Sequence, residues 1–155
     1  HIPLVFIKNY SGQVLKANMR IVGATEYGIV LYRDRLPKFR NDGKMIFNWM
    51  KWEKDRPEIP KCHPTQKVQS VLRRLIEVFT DPGDVVIDPV AGSGSTLRAA
   101  RDLGRNSYGF EIYKPFYQKA INEMLNENYS EYAMRQADKE TGQINIFDIG
   151  GVTDD

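Results

Sequence analysis

An apolar run followed by a glycine-rich turn and a helix constrains the fold of this chain more than any other feature. Asp84 to Asp88 has Val-Val-Ile at its centre, which is typical of a parallel strand covered on both faces. The turn from Ala91 to Gly94 leads into a helix that ends at Gly104. Strand character resumes from Ser107 to Glu111. This order and spacing predict a right-handed βαβ unit in an open α/β sheet.

Amphipathic segments lie on either side of the βαβ unit. Before it, and ahead of the Pro82-Gly83 turn, apolar residues recur at the spacing of one helical face: Val71, Leu72, Leu75, Ile76 and Phe79. After it, Pro115 suits the first turn of a further helix, whose apolar face would be Phe116, Ala120, Ile121 and Met124. The sequence therefore predicts a helix before and a helix after the unit.

The chain outside these segments divides into three parts. Ile2 to Lys8 and Glu26 to Tyr32 are rich in apolar, β-branched and aromatic residues and predict a strand pair, which we expect to be antiparallel. Arg33 to Cys62 is polar and contains several prolines, so we expect a long connection there. We expect one domain over residues 1–128 and a polar tail over residues 129–155.

Composition narrows the class of protein. The 155 residues are 41% hydrophobic and 27% charged, as in a soluble globular domain. Cys62 is the single cysteine and excludes an internal disulfide, and no apolar run reaches the roughly 20 residues of a membrane helix. We therefore expect a cytoplasmic protein with no membrane partner and no export signal. The net charge of +2 does not by itself indicate nucleic-acid binding.

The turn after the first parallel strand is the candidate ligand site. Ligands of α/β sheets bind at the carboxyl ends of the strands, and Gly92 and Gly94 lack a Cβ, so a bulky ligand could approach the turn. The Glu111 carboxylate could accept hydrogen bonds from both hydroxyls of a ribose. Glycine turns also occur for packing alone, and that alternative stays open. The nicotinamide fingerprint is imperfect because Leu97 occupies its third glycine position, and no lysine follows Gly94 as a phosphate P-loop requires.

Several motifs in a fixed order make the sequence more specific. They are His63-Pro64-Thr65-Gln66-Lys67, Asp81-Pro82-Gly83-Asp84, Asp88-Pro89-Val90-Ala91-Gly92-Ser93-Gly94-Ser95-Thr96, Gly104-Arg105 and Gly109-Phe110-Glu111. Together they resemble the DNA methyltransferases that modify adenine N6 or cytosine N4, in the subgroup whose cofactor motifs follow the catalytic motif. The resemblance implies a Rossmann-like methyltransferase sheet with S-adenosyl-L-methionine as cofactor. More loosely, Thr25-Glu26-Tyr27 resembles the family's His-Glu-Tyr strand.

The resemblance also implies a set of cofactor-binding residues. The methionine part of the cofactor would contact Asp88 and the loop formed by Ala91, Gly92, Ser93 and Gly94. Glu111 would bind the ribose, and Ile112 would flank the adenine ring. The histidine-proline segment would close over the methionine end through His63, Thr65 and Lys67, although His63 could be structural and Lys67 an ordinary solvated charge.

One departure from the family pattern is serious, whereas Val68 and Val90 in place of proline and phenylalanine are mild. The chain contains no Asp-Pro-Pro-Tyr or similar tetrapeptide, which in this family holds the exocyclic amine of the flipped base. We therefore assign no catalytic residue. We expect a C-terminal portion of a methyltransferase, acting as a homodimer or with a missing N-terminal half, whose two absent central strands leave a gap in the sheet. A non-catalytic S-adenosylmethionine-binding module is the alternative, and an RNA or small-molecule methyltransferase is a third class.

Residues 33–62 lie where the family places its target-recognition segment. Basic and aromatic side chains alternate there and suit contacts with phosphates and bases of double-stranded DNA. They are Lys38, Phe39, Arg40, Lys44, Phe47, Trp49, Lys51, Trp52, Lys54 and Arg56. A solvated loop whose aromatic side chains pack on the sheet is the alternative for each of them.

Overall fold

The computed structural model describes residues 1–9 and 13–126, and the first of these residues form a three-stranded sheet and a hairpin. The strands are β1 (Ile2–Lys8), β2 (Gln13–Lys16), β3 (Ile21–Gly23), β4 (Thr25–Val30) and β5 (Trp49–Trp52). Strand β1 lies in the middle of the sheet, antiparallel to β4 and parallel to β5. Strands β2 and β3 pair separately, joined by a 3-10 turn at Ala17–Met19. The predicted antiparallel pair is confirmed. The prediction of an unbroken connection over residues 33–62 is wrong at β5.

The remaining elements form the predicted βαβ unit and its flanking helices. They are α1 (Gln69–Phe79), β6 (Val85–Asp88), α2 (Ser95–Asp102), β7 (Asn106–Gly109), α3 (Lys114–Lys119) and a π-helix at Ala120–Met124. Strands β6 and β7 are parallel and form a sheet of their own. Strand β7 ends at Gly109, so Glu111 lies two residues beyond the strand instead of ending it. The predicted tail over residues 129–155, including the apolar stretch from Ile144 to Phe147, lies outside the described residues.

Helix α1 connects the two sheets because it contributes to two apolar clusters. Val71 packs with Leu4, Phe6 and Trp52 on the first sheet. Ile76 packs with Ala99 and Ala100 of α2, where the partly buried Val86 of β6 joins them. The apolar face predicted for α1 is therefore confirmed, and it is wide enough to serve two neighbours.

The second sheet is covered on one face only. Val85 and Ile87 of β6 are 53% and 62% exposed, and Tyr108 of β7 is 63% exposed. The prediction that β6 is covered on both faces is therefore wrong for the described residues. No strand of the described ranges joins β6 or β7 to the first sheet, in agreement with the expected gap. Each helix of residues 1–9 and 13–126 is too short or too polar to cross a membrane.

A cluster of ion pairs fixes the connection after β4 to the turn before β6. The Lys38 ammonium lies 2.6 Å from Asp84 Oδ2 and 3.0 Å from Asp81 Oδ2. Arg40 donates to both oxygens of Asp81 at 2.6 and 2.7 Å. Hydrogen bonds from these cations lower the pKa of Asp81. The pKa of Asp84 is lowered by the Asp81 N–H and then by Lys38.

Candidate functional site

A cavity of about 370 Å³ lies at the carboxyl ends of β6 and β7. Its volume falls in the usual range of small-ligand sites. On one side is the glycine loop and on the other the segment from His63 to Lys67. The lining residues are His63, Thr65, Gln66, Lys67, Asp88, Val90, Ala91, Gly92, Ser93, Ser95, Thr96, Glu111, Tyr113 and Phe116. The structure thus brings together eight of the ten residues predicted for the site, all except Gly94 and Ile112.

Glu111 is anchored by two backbone groups at the edge of this cavity. The Gly92 N–H donates to Glu111 Oε2 at 2.9 Å, and the Tyr113 N–H donates to Oε1 at 2.7 Å. A carboxylate oxygen has two lone pairs, so each oxygen retains one for a further donor. The side chain is therefore held in place while it keeps the capacity to accept two hydroxyl groups.

The two loop glycines serve different neighbours. Gly94 has a φ of 75°, and a Cβ added there would lie 3.2 Å from Ala120 Cβ. At Gly92, with a φ of 52°, the added Cβ would lie 3.8 Å from His63 Cδ2. Both positions need the left-handed backbone that glycine allows. Ala120 of the helix after α3 lies beside Gly94, so the space left by the missing side chain faces that helix. The contact of Gly94 with a ligand stays a prediction.

Most backbone donors of the loop are used inside the protein. The Ala91 N–H donates to Phe110 O at 2.8 Å, and the Gly94 N–H donates to Ala91 O at 2.8 Å. Gly92 donates to Glu111 as described. These three N–H groups are therefore paired within the protein.

Asp88 and Ser93 form hydrogen bonds that stabilise the glycine loop. Asp88 Oδ1 accepts the Val90 N–H at 3.1 Å and so shapes the turn that follows β6. The Ser93 and Ser95 hydroxyl oxygens are 2.5 Å apart and buried. Gln69 donates to Ser95 O at 3.0 Å and connects this pair to α1. Although Ser93 lines the cavity, its hydroxyl group is bonded to Ser95 within the loop.

His63 closes the opposite wall through packing and a local hydrogen bond. Its ring centroid lies 4.1 Å from that of Phe116, in an edge-on arrangement. The Thr65 N–H donates to His63 Nδ1 at 3.1 Å, and Thr65 Oγ1 lies 3.0 Å from the same nitrogen. Since Nδ1 accepts, the neutral ring carries its proton on Nε2. His63 and Thr65 therefore brace each other beside the glycine loop.

Lys67 is held by an acidic residue of the first sheet. Its ammonium lies 2.6 Å from Glu26 Oε2 and 5.3 Å from the Trp52 ring centroid. Glu26 also pairs with Lys8 at 2.5 Å. Burial tends to raise the pKa of Glu26, but Lys67 and Lys8 outweigh it and lower that pKa. Lys67 is therefore ion-paired, although its side chain is 52% exposed to solvent.

Several residues that line the cavity were not predicted, and two predicted residues, Gly94 and Ile112, do not line it. Ile112 is fully exposed and does not line the cavity. Gln66, Val90, Ser95, Thr96, Tyr113 and Phe116 do line it. Tyr113 could have been predicted, because it is an aromatic residue two positions after Glu111. Phe116 was recognised only as part of a helix face. In the described part of the chain, no group of acidic, histidine or cysteine side chains could hold a metal ion.

A larger cavity of about 970 Å³ adjoins the first, and Thr65 and Gln66 line both. Its charged lining residues come from the first sheet and from the connection after β5: Lys8, Glu26, Lys54, Asp55, Arg56 and Lys61. Burial raises the pKa of Asp55. Asp55 Oδ1 accepts the Gln69 N–H at 2.7 Å, which fixes the connection to the start of α1.

The residues predicted to contact DNA fall into separate groups. Lys38 and Arg40 are paired with Asp81 and Asp84, so they hold the connection in place. Trp52 is buried at 4% exposure in the first cluster, in agreement with the packing alternative. Phe47 stacks on Trp49 with centroids 5.6 Å apart. Lys54 and Arg56 line the larger cavity, whereas Lys44 and Lys51 are exposed.

Comparison with known proteins agrees with this geometry. The crystal structure of the M1.HpyAVI–SAM complex superposes with a TM-score of 0.69 and is 29% identical, over 81% of this chain and 62% of that chain. The cytosine-N4-specific PvuII DNA methyltransferase has the same fold, with a TM-score of 0.64 and 18% identity over 87% of this chain and 54% of that one.

Sequence comparison gives the family. A candidate methylase, YubD of Escherichia coli (strain K12), is 46% identical over 56 residues, which are 36% of this chain and 25% of YubD. The chain thus spans about a quarter of that relative and less than two thirds of M1.HpyAVI. The family described as DNA methylase, of the N6/N4 type, matches residues 7–123. The chain belongs to the N6/N4 DNA methylase family.

Proposed function

We propose that this chain binds S-adenosylmethionine as part of a DNA methyltransferase that acts on the exocyclic amine of adenine (N6) or cytosine (N4). Family membership and the likeness to M1.HpyAVI, which was solved with SAM, support the cofactor. The cavity at the ends of β6 and β7 has the size and the acceptor for it. When bound, S-adenosylmethionine supplies a methyl group activated by its positively charged sulfur.

The anchored Glu111 carboxylate carries the proposal. Its two oxygens face the cavity edge, each with one N–H already bound and one lone pair left. The neighbouring hydroxyls of a ribose present two donors at a matching spacing. We assign Glu111 to the ribose, and Asp88 with the segment from His63 to Lys67 to the methionine end.

The chain's own residues position and shield the cofactor. The His63 ring and Phe116 form one wall, so water is excluded from that side. The glycine loop forms the other wall through its backbone. The groups that activate an exocyclic amine belong to the tetrapeptide that this sequence lacks. We therefore assign cofactor binding to these residues and no proton transfer from the target base.

Absence of the tetrapeptide also favours a second candidate, a non-catalytic S-adenosylmethionine-binding module. Methyl transfer to duplex DNA distinguishes the two. The isolated chain is expected to be inactive in both cases. Only the methyltransferase assignment predicts activity when a family polypeptide carrying Asp-Pro-Pro-Tyr is added. If no such combination is active, the non-catalytic binding module is the assignment that remains.

Calorimetric titration with S-adenosylhomocysteine, the product form of the cofactor, tests the binding site. We expect saturable binding by the natural chain and its loss in Glu111→Ala. The matched control is Glu58→Ala, an exposed glutamate outside both cavities, which should bind normally. Circular dichroism would establish that each variant is folded. A folded natural chain that does not bind would contradict the proposal.

A further inference from the structure

We propose that Glu26 is a positioning residue for the cofactor site, and that it acts by anchoring Lys67. This inference rests on the proposed function, because it deepens the role of the segment from His63 to Lys67. Glu26 does not line the smaller cavity, whereas Lys67 does. Its influence on a ligand there is therefore indirect.

The anchor is a carboxylate shared by two cations. Lys67 donates to Glu26 Oε2 at 2.6 Å, and Lys8 lies 2.5 Å from Oε1. The side chains of Lys8, Glu26 and Lys67 are 21%, 30% and 52% exposed. Solvent therefore screens the Lys67 contact more than the Lys8 contact. Both carboxylate oxygens are thus engaged, one by each ammonium group.

The Trp52 ring lies against both ammonium groups. The Lys8 and Lys67 ammonium groups lie 4.9 and 5.3 Å from its ring centroid, within the range of cation–π attraction. The sheet itself fixes the other partners, because Phe6 pairs with Glu26 and Lys8 pairs with Trp52 in the strand register. Of the four residues, Lys67 alone comes from outside the sheet. The cluster therefore holds the loop segment to a rigid base.

The anchor stands where the two cavities meet. Lys8, Glu26 and Trp52 line the larger cavity, Lys67 lines the smaller, and Thr65 lies in both linings. If the Glu26 charge is removed, two ammonium groups face each other without a counterion and repel. Lys67 then moves away from Lys8, and the segment that braces His63 and Thr65 shifts with it. The expected consequence is weaker cofactor binding.

The test compares Glu26→Gln with Glu77→Gln in S-adenosylhomocysteine affinity and in unfolding midpoint. Glu77 pairs with Arg74 at 3.8 Å on α1, away from both cavities. We expect Glu26→Gln to weaken binding about two- to fivefold, the effect of one partly exposed ion pair. Glu77→Gln should leave affinity unchanged. Equal affinities of the two variants would overturn the inference.

A double-mutant cycle with Lys67→Met separates positioning from general destabilisation. If Glu26 acts through Lys67, the double variant should bind no more weakly than Lys67→Met alone. Additive losses would overturn the inference. If Glu26→Gln does not fold, the test uses Lys67→Met, because this variant keeps the Glu26–Lys8 pair. An unchanged affinity of Lys67→Met would also overturn the inference. A natural chain that fails to bind refutes the proposed function and this inference with it, whereas binding that is insensitive to Glu26 refutes only the latter.

Discussion

Leu97 and Gly109 lie so close that any side chain at position 109 would displace the end of the Leu97 side chain. A Cβ built on Gly109 would be 2.7 and 2.9 Å from the two Cδ atoms of Leu97, and 3.0 Å from Ala91 Cβ. This contact sets the distance between α2 and the end of β7. Gly109 also lies against Ala91 at the start of the glycine loop, so the shape of the candidate site depends on this close packing.

Gly109→Ala should therefore destabilise the protein by about 1 kcal/mol, the low end of the cost of overpacking, because Gly109 is exposed and the end of the Leu97 side chain can move. Urea unfolding followed by circular dichroism measures this cost. In a Leu97→Ala background the same substitution should cost clearly less, because the clashing atoms are gone. Equal costs in the two backgrounds would show that Leu97 is not the obstacle.

Stability should fall in acid because of the cluster formed by Lys38, Arg40, Asp81 and Asp84. The folded-state pKa values of both aspartates are lowered from 3.8. Their stabilising effect is therefore complete above pH 4 and is lost progressively as the pH falls through the folded values. Urea unfolding between pH 6 and pH 2 follows this loss.

The matched variant is Lys38→Gln with Arg40→Gln. It should be less stable than the natural chain at pH 6, and the difference should shrink towards pH 2. A difference that stays constant over this interval would mean that the aspartates do not depend on these cations.

In the complete enzyme we expect Lys51 and Arg56 to contact DNA phosphates, because both are exposed and neither is placed in the cluster with Asp81 and Asp84. Replacing both by Gln should weaken binding to a short duplex and reduce the salt slope of log K by about 1.8, for two lost contacts. Fluorescence anisotropy at several salt concentrations gives the slope. Lys38→Gln with Arg40→Gln is the control and should leave the slope unchanged. If the Lys51 and Arg56 variant retains the natural slope, the assignment is wrong.

Cys62 should be unreactive in the folded protein. The thiol is 2% exposed, and burial, followed by the nearby Glu123, raises its pKa to about 11. At pH 8 only about 0.1% of such a thiol is the reactive thiolate. We expect negligible labelling by a disulfide reagent in buffer and one labelled thiol per chain in urea. Rapid labelling without denaturant would show that the contact of Cys62 with the helix after α3 opens readily.

The sequence predicted the parts of this fold that are local. The βαβ unit, α1 and the turn at Gly92 and Gly94 follow from apolar spacing and glycine chemistry over short stretches of chain. Five of the eight predicted residues that line the cavity meet for the same reason, since the strand ends and the loop are close in sequence: Asp88, Ala91, Gly92, Ser93 and Glu111. Only the segment from His63 to Lys67 had to be placed by resemblance.

The contacts that sequence reasoning missed join distant segments. Strand β5 has four residues in a proline-rich stretch, and only its pairing with β1 identifies it as a strand. The pairs Lys67–Glu26 and Arg40–Asp81 each span 41 positions. Charge patterns do not reveal such partners, because any of several acidic residues could serve. The proximity of Gly94 to Ala120 was not predicted for a similar reason, since Ala120 comes from a later helix.

Glu111 also bears on how quickly a ligand could bind. Its carboxylate already bridges Gly92 and Tyr113, so the turns that follow β6 and β7 are ordered in advance. Less conformational entropy is lost on association when the receptor is preorganised. Encounter should then be a single step whose rate rises in proportion to ligand concentration, with no slow rearrangement of the loop to limit it.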